Sequence, residues 1–290
     1  MGLKIIVLAK QVPDTRNVGK DAMKADGTVN RAALPAIFNP EDLNALEQAL
    51  RLKEQIPGSS ITLLTMGPVR AADVLREGLF RGADDGILLT DRAFAGADTL
   101  ATSYALACAI RKMKDFDVIV CGRQAIDGDT AQVGPQVAEK LGIAQITYAE
   151  EVLSVKKNVI RIKRRLERGI EVVEGKFPLV ITVNSSAPDC RPRNAKLLMK
   201  YKHSSTISER ADKSEDYINM VNDKPYLSIK EWSVNDIECD REQLGLTGSP
   251  TKVKKIENIV FQAKESKKLN DTDREINELM KELIENHTIG

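Results

Sequence analysis

The sequence predicts an α/β protein with a doubly wound, mostly parallel sheet, a small antiparallel extension and a C-terminal arm ending in an amphipathic helix. Three observations predict it. Short, largely apolar runs without alternation, Ile5–Ala9, Ile61–Thr65, Gly86–Thr90 and Val118–Cys121, read as strands buried on both faces. Segments with apolar residues at helical spacing separate these runs. Strand and helix then alternate along the first half, which implies a parallel sheet with right-handed crossovers.

The elements follow in order. Leu43, Leu46 and Leu50 share one face of a helix opening at Asn39-Pro40, where Asn39 reads as N-cap and Pro40 as the first helical residue. Val74, Leu75 and Leu79 mark a second helix after Gly67-Pro68, and Leu100, Tyr104, Ala107 and Cys108 a third over Asp98–Lys112. After Leu141 the character changes. Val152–Val155, Val159–Lys163, Ile170–Val173 and Leu179–Asn184 are short, β-like and separated by charge, as in a hairpin or small antiparallel extension. Lys200–Asp240, with the single tryptophan Trp232, reads as irregular linker or insertion. Thr272-Asp273-Arg274-Glu275 is a capping box, and Ile276, Leu279, Met280, Leu283 and Ile284 form one stripe of the helix it opens. The charged stretch Lys264–Lys268 before it should be solvated. These boundaries predict a main domain over 1–200, an irregular insertion and linker over 201–262, and the arm and helix over 263–290.

Composition narrows the function classes. Hydrophobic residues make up 42% of the 290, enough for a packed core, and a net charge of +1 points to neither nucleic acid nor a membrane surface. No apolar run approaches the ~18 residues of a membrane helix. Met1–Leu8 enters a strand pattern directly, without a signal-peptide layout, so a cytoplasmic location is expected. Cys108, Cys121, Cys190 and Cys239 make no CxxC pair, which argues against a zinc or iron–sulfur site and predicts no metal. There is no GxxxxGK[ST] phosphate loop, no GxGxxG after the first strand, no nucleophile elbow and no HExxH. His203 and His287, the two histidines, lie in polar late segments. The chain reads as built to hold a cofactor, with no catalytic residues of its own.

In an open α/β sheet, ligands bind beyond the carboxyl ends of the strands. Three strand-to-helix junctions carry the small residues that close approach requires: Met66-Gly67-Pro68, Gly96-Ala97-Asp98-Thr99, and the long loop Cys121–Pro135. Asp98 or Thr99 can cap the third helix. The long loop runs into a helix N-terminus near Gly134-Pro135, and its amides suit a pyrophosphate. Arg123 can add a charge-assisted phosphate contact. The loop's aspartates would repel an anion unless they face ribose hydroxyls or cap the helix. A long polar turn with helix caps is the competing explanation.

The loop GRQAIDGDTAQVGP, Gly122–Pro135, resembles the signature of electron-transfer flavoprotein β subunits. Supporting matches are Ala9–Thr15, Asn39-Pro40-Glu41-Asp42, Thr65–Pro68, Arg81–Asp84, Asp91–Thr102 and Gly248–Val253. The resemblance covers residues 1–200 well and 247–262 moderately. It implies a Rossmann-like, adenine-nucleotide-binding fold and a heterodimer with an α subunit. Ordinary β subunits hold AMP; in electron-bifurcating members FAD takes that place. Asp127-Gly128-Asp129-Thr130 stands where AMP-binding members typically have three consecutive acidic residues, so the chain resembles the bifurcating group. By position, the implied cofactor contacts are Leu8, Ala9, Asn39, Met66, Gly67, Asp98, Thr99 and Thr102. The loop adds Gly122, Arg123, Gln124, Ala125, Ile126, Asp127, Gly128, Asp129, Thr130, Ala131, Gln132, Val133 and Gly134.

The implied function is an electron-carrier subunit, no enzyme by itself. It takes electrons from NADH and divides them between the partner subunit's FAD, serving an acyl-CoA-dehydrogenase-like or other dehydrogenase, and ferredoxin or flavodoxin. Asp189–Lys202 occupies the place of the family's partner-docking segment, although Arg191–Leu198 departs from the usual pattern. The family also uses a C-terminal arm to clasp its partner. Two alternatives stay open: a non-bifurcating β subunit with structural AMP, and a stand-alone adenine-nucleotide-binding regulatory protein.

Overall fold

The computed structural model describes residues 2–14, 35–211, 220–251, 266, 268–286 and 288–289. Thr15, the Lys252-Val253 end of the late motif, His287 and most of Lys264–Lys268 lie outside the described residues. Met1–Lys254 and Lys255–Gly290 form two compact units.

In the first unit, strand β1 (Lys4–Leu8) leads to a two-stranded antiparallel ribbon, β2 (Gln11–Pro13) with β3 (Ala36–Phe38). Helix α1 (Pro40–Gln55), β4 (Ser60–Met66), α2 (Ala72–Arg81), β5 (Asp85–Leu89), α3 (Thr99–Met113), β6 (Val118–Gly122) and α4 (Val133–Leu141) follow. Then come β7 (Ala144–Lys156), β8 (Val159–Leu166), β9 (Gly169–Lys176) and β10 (Leu179–Val183). Helices α5 (Ala195–Tyr201), α6 (Ile207–Ala211) and α7 (Met220–Asp223) precede β11 (Lys230–Trp232). The main sheet runs β11-β5-β4-β1-β6-β10-β7-β8-β9, parallel through β7 and antiparallel over the last two strands.

Alternate side chains of the central strands feed two cores. Ile5, Val7, Ile61 and Leu63 pack with α1 and α2 through Leu46 and Leu75. Ile6, Leu8, Leu64 and Ile119 pack on the other face with Ile110 of α3 and Val137 of α4. Burial on both faces is why these strands lack a polar alternation. The chain therefore reverses its direction of sheet growth between β1 and β6, which lie side by side.

Two expectations are corrected. Leu179–Asn184 was expected in the antiparallel extension; β10 instead lies between β6 and β7, parallel to both and buried at every position. Its Leu-Val-Ile-Thr-Val run is the signature of a central strand, obscured by the charged hairpin before it. The stretch after Lys200, expected to be irregular, supplies a strand. β11 pairs with β5, and Ile229, Val234, Ile237 and Leu244 are buried in the cores. In a polar run these isolated apolar residues show no period by which to recognise them.

Ala187–Tyr201 is fastened to α1 and α2. Asn44 Nδ2 donates to the Ala187 and Pro188 carbonyls at 3.0 and 2.9 Å. Arg191 Nε meets Glu47 Oε2 at 2.9 Å, its guanidinium also pairs with Glu54, and Arg193 meets Glu77 at 2.8 Å. Burial alone would raise the Glu47 carboxyl, but hydrogen bonds from Arg191 and Arg51 outweigh it and hold the group at about 2. Asn194 caps α5, accepting from the Lys196 and Leu197 amides, and Met199 on that helix is 68% exposed.

In the second unit, helix α8 (Asp273–Glu285) opens as expected at Thr272, whose hydroxyl accepts the Glu275 amide at 3.4 Å. The reciprocal half of the capping box differs. Glu275 accepts from the Asn270 amide and side chain at 2.7 and 3.0 Å, because a second polar partner stands closer in the preceding turn. Within its own unit the helix buries none of its residues. Among the described residues, no helix is long and apolar enough to cross a membrane.

Candidate nucleotide site

A cavity of about 690 Å³ opens beside the carboxyl ends of β1, β4 and β6, at the reversal point where α/β sheets bind ligands. Leu8, Leu64, Met66, Phe94 and Leu106 form an apolar wall, and the loop from Gly122 to Gly134 forms a polar one.

The first turn of α1 holds that loop in place. Asn39, fully buried, stands at the N-cap position, yet its side chain makes no cap. It turns outward, Nδ2 donating to the Gln124 carbonyl at 2.9 Å and Oδ1 accepting the Ile126 amide at 3.2 Å. The expected cap is thus replaced by a longer-range contact, which satisfies two part-buried loop groups. Glu41 accepts the Gln124 amide at 2.9 Å and the Arg123 guanidinium at 3.2 Å. Asp42 accepts the Gly122 and Lys10 amides, both at 2.9 Å. Only glycine permits this approach: a Cβ at Gly122 would lie 2.5 Å from Asp42 Oδ1 and 2.7 Å from the Glu41 carbonyl carbon. Burial pushes the Asp42 carboxyl up to about 7, against the two amides, Asn39 and Lys10, which favour its charged form.

The two helix N-termini at the cavity differ. At α3, Asp98 caps as expected, its Oδ1 accepting the Leu100 and Ala101 amides at 2.9 and 3.0 Å. Its other oxygen accepts the Thr251 amide and hydroxyl at 3.1 and 2.7 Å. That helix end already faces a carboxylate. At α4, Gln132 holds the N-cap position without a side-chain cap. Just before it, Asp129 and Ala131 take φ values of +49° and +53°, left-handed backbone that curls successive amides into a concavity. Among the described residues, the Thr130, Ala131 and Gln132 amides donate to no backbone acceptor. An uncapped helix end behind such a loop favours an anion.

The loop's charges are occupied. Lys10 Nζ binds both Asp127 oxygens at 2.7 and 2.8 Å, and Asp129 accepts from Gln124 Nε2 at 3.0 Å. Neither aspartate caps α4. Arg123, read as a phosphate contact, pairs with Glu41 and lies 5.7 Å from the Tyr148 ring. A Cβ at Gly128 would meet nothing within 4 Å.

Of the residues named from the sequence, Leu8, Ala9, Met66, Asp98, Thr99, Thr102, Gly122–Ala125 and Gly128–Gly134 line the cavity; Asn39, Gly67, Ile126 and Asp127 do not. Asn39 and Asp127 tie the loop from behind, Asp127 through Lys10, and the Gly67 amide donates to the Leu89 carbonyl at 3.1 Å. Lys10, Asp42, Leu64, Phe94, Gly96, Ala97, Leu106, Cys121 and Thr251 also line it and were not named as contacts. Lys10, Asp42, Phe94, Gly96, Ala97 and Thr251 stood within quoted motifs and Cys121 opened the quoted loop; Leu64 and Leu106 carry no signal that separates a cavity wall from core.

Comparison with known proteins agrees with this geometry. Residues 26–204 match the family model described as the electron transfer flavoprotein domain. The electron transfer flavoprotein subunit beta of Clostridium acetobutylicum is 45% identical over 253 residues, 87% of each chain.

The chain belongs to the electron transfer flavoprotein family.

Two further relatives carry the names of larger assemblies. The caffeyl-CoA reductase-Etf complex subunit CarD of Acetobacterium woodii is 41% identical over 87% of this chain and 86% of its own. The acryloyl-CoA reductase electron transfer subunit gamma of Anaerotignum propionicum is 41% identical over 99% of this chain and 100% of its own.

Asp42 gives this family member a pH signature. Its folded-state carboxyl lies at about 7, above its ordinary 3.8. Its contribution to stability is therefore complete below pH ~3.8 and is lost as pH rises to ~7. Asp42→Asn should flatten that descending limb in urea unfolding measured from pH 4 to 8. An unchanged limb would show that Asp42 stays ionised throughout.

Proposed function

We propose that this chain is the β subunit of an electron-bifurcating electron-transfer flavoprotein. It would hold FAD in the cavity and take a hydride's two electrons from NADH. One electron would pass to the FAD of an α subunit serving an acyl-CoA-dehydrogenase-like or other dehydrogenase, the other to ferredoxin or flavodoxin. The observation that carries the reading is the polar wall at Gly128. There, open space adjoins loop amides without backbone partners and an uncapped helix end. The relatives named for caffeyl-CoA and acryloyl-CoA reductase systems support the same assignment.

The residues fit a flavin dinucleotide. Leu8, Leu64, Met66 and Phe94 offer apolar contact to a planar base. The Thr130–Gln132 amides and the α4 terminus would hold the diphosphate, and Lys10 and Gln124 keep the neighbouring aspartates engaged. Bound FAD would supply hydride acceptance and one-electron exchange, while the chain binds, orients and electrostatically tunes it.

Nucleotide content tests the reading. The complex co-purified with its α subunit should release two FAD per heterodimer; one FAD with one AMP would rule out bifurcation at this site and leave family membership intact. Gly128→Asp would place a carboxylate in the open space at the polar wall. In a partly buried site of effective dielectric ~20, such a charge near a phosphate opposes it by on the order of a few kcal/mol, more than tenfold in affinity. FAD should then be lost from this subunit and kept in the α subunit. Full retention in both would place the phosphates away from Gly128.

A further inference from the structure

Tyr148 stands out on backbone geometry. It takes φ +59°, left-handed backbone that a bulky side chain rarely adopts. The residue sits in β7 where its register with β10 shifts between Ile181 and Val183, and its amide reaches the Thr182 hydroxyl at 3.3 Å. Glycine is the usual left-handed residue at such bulges. Burial offers no compensation, since Tyr148 is 36% exposed. Strain of this kind persists where the surroundings impose it, and it clusters at functional sites.

What the strained backbone achieves is a contact. The Tyr148 ring lies 5.7 Å from the Arg123 guanidinium, within cation–π range. Arg123 Nε is buried and meets no nitrogen or oxygen acceptor, as expected for a guanidinium held against a ring. The same guanidinium binds Glu41 Oε1, whose partner oxygen accepts the Gln124 amide. Arg123 and Gln124 both line the cavity. A continuous path thus runs from the bulge through ring, guanidinium and carboxylate to the loop backbone.

We propose that Tyr148 is a positioning residue for the nucleotide site, its ring fixing Arg123 so that Glu41 stays on the Gln124 amide and the first half of the loop keeps its place at the cavity wall. The inference rests on the nucleotide-binding reading above. It gives stability and binding opposite responses to one substitution. Asn and Gly tolerate left-handed backbone better than Tyr, so Tyr148→Asn and Tyr148→Gly should leave the melting temperature unchanged or raised. Both remove the ring and should weaken nucleotide binding about tenfold.

The test is calorimetric titration of the full-length chain with its partner subunit, stripped of nucleotide, using ADP, which carries the adenine and diphosphate of FAD. Tyr148→Phe, which keeps a ring, should bind within about twofold of wild type. Arg123→Gln should weaken ADP about tenfold, and adding Tyr148→Asn to it should cause no further loss, because the tyrosine acts through the arginine. A Tyr148→Asn variant that melts lower yet binds ADP like wild type would overturn the role of Tyr148 alone. So would losses that multiply in the double variant. Wild-type protein that binds no ADP would overturn the nucleotide reading, and this inference with it.

Discussion

Three side chains at the start of α1, the N-cap Asn39 and the first-turn Glu41 and Asp42, accept alternate amides of the loop after β6, and the site depends on this. Asp42 takes Gly122, Glu41 takes Gln124 and Asn39 takes Ile126. The α1 and α4 helices cover opposite faces of the sheet, so the two lips of the cavity belong to different layers. The sheet ladder reaches the loop only at its start, where the Arg123 amide donates to the Val183 carbonyl at 2.8 Å, and the α1 side chains hold it beyond that point. Buried amides must find acceptors, and leaving one unmet costs about 1–3 kcal/mol. Charged acceptors make stronger bonds than neutral ones, which suits Glu41 to the Gln124 amide, while burial shifts Asp42 toward its neutral form.

The rest of the site follows from that clamp. With its first half tied to α1, the loop's second half turns through left-handed Asp129 and Ala131 into an uncapped helix. Asp98 closes the competing helix end, which leaves α4 as the terminus open to an anion. Lys10 extends the clamp, its amide on Asp42 and its ammonium on Asp127. Farther along α1, Asn44 and Glu47 fasten the segment that leads to α5. One helix therefore fastens both the loop at the cavity and the segment that leads to the exposed face of α5.

Much of this was legible in residues. Continuous apolar runs located the central strands, and the glycine-rich junctions located the cavity, because a doubly wound sheet leaves few other places for a ligand. Legibility failed where local and distant explanations compete. Asn39-Pro40 satisfies every local rule for a cap, and only the folded loop reveals the partner that takes its side chain. β10 was hidden by the charged hairpin that separates it from its helix-linked neighbours. Ile229 and Val234 bring a polar stretch into the sheet without any period. Arg123 was read as a phosphate contact, since the sequence does not show that Glu41 and Tyr148 meet it. Gly128 was legible as a missing side chain, while the space around it was not.

Residue-resolved hydrogen exchange on the full-length, nucleotide-free complex tests the clamp most directly. The account predicts that the Gly122, Gln124 and Ile126 amides exchange slowly before any ligand is added, because side chains of α1 already hold them. The Thr130, Ala131 and Gln132 amides should exchange fast and become protected only when ADP or FAD is supplied. Fast exchange at Gly122, Gln124 and Ile126 without nucleotide, with protection of the whole loop arising together on binding, would contradict a preformed site.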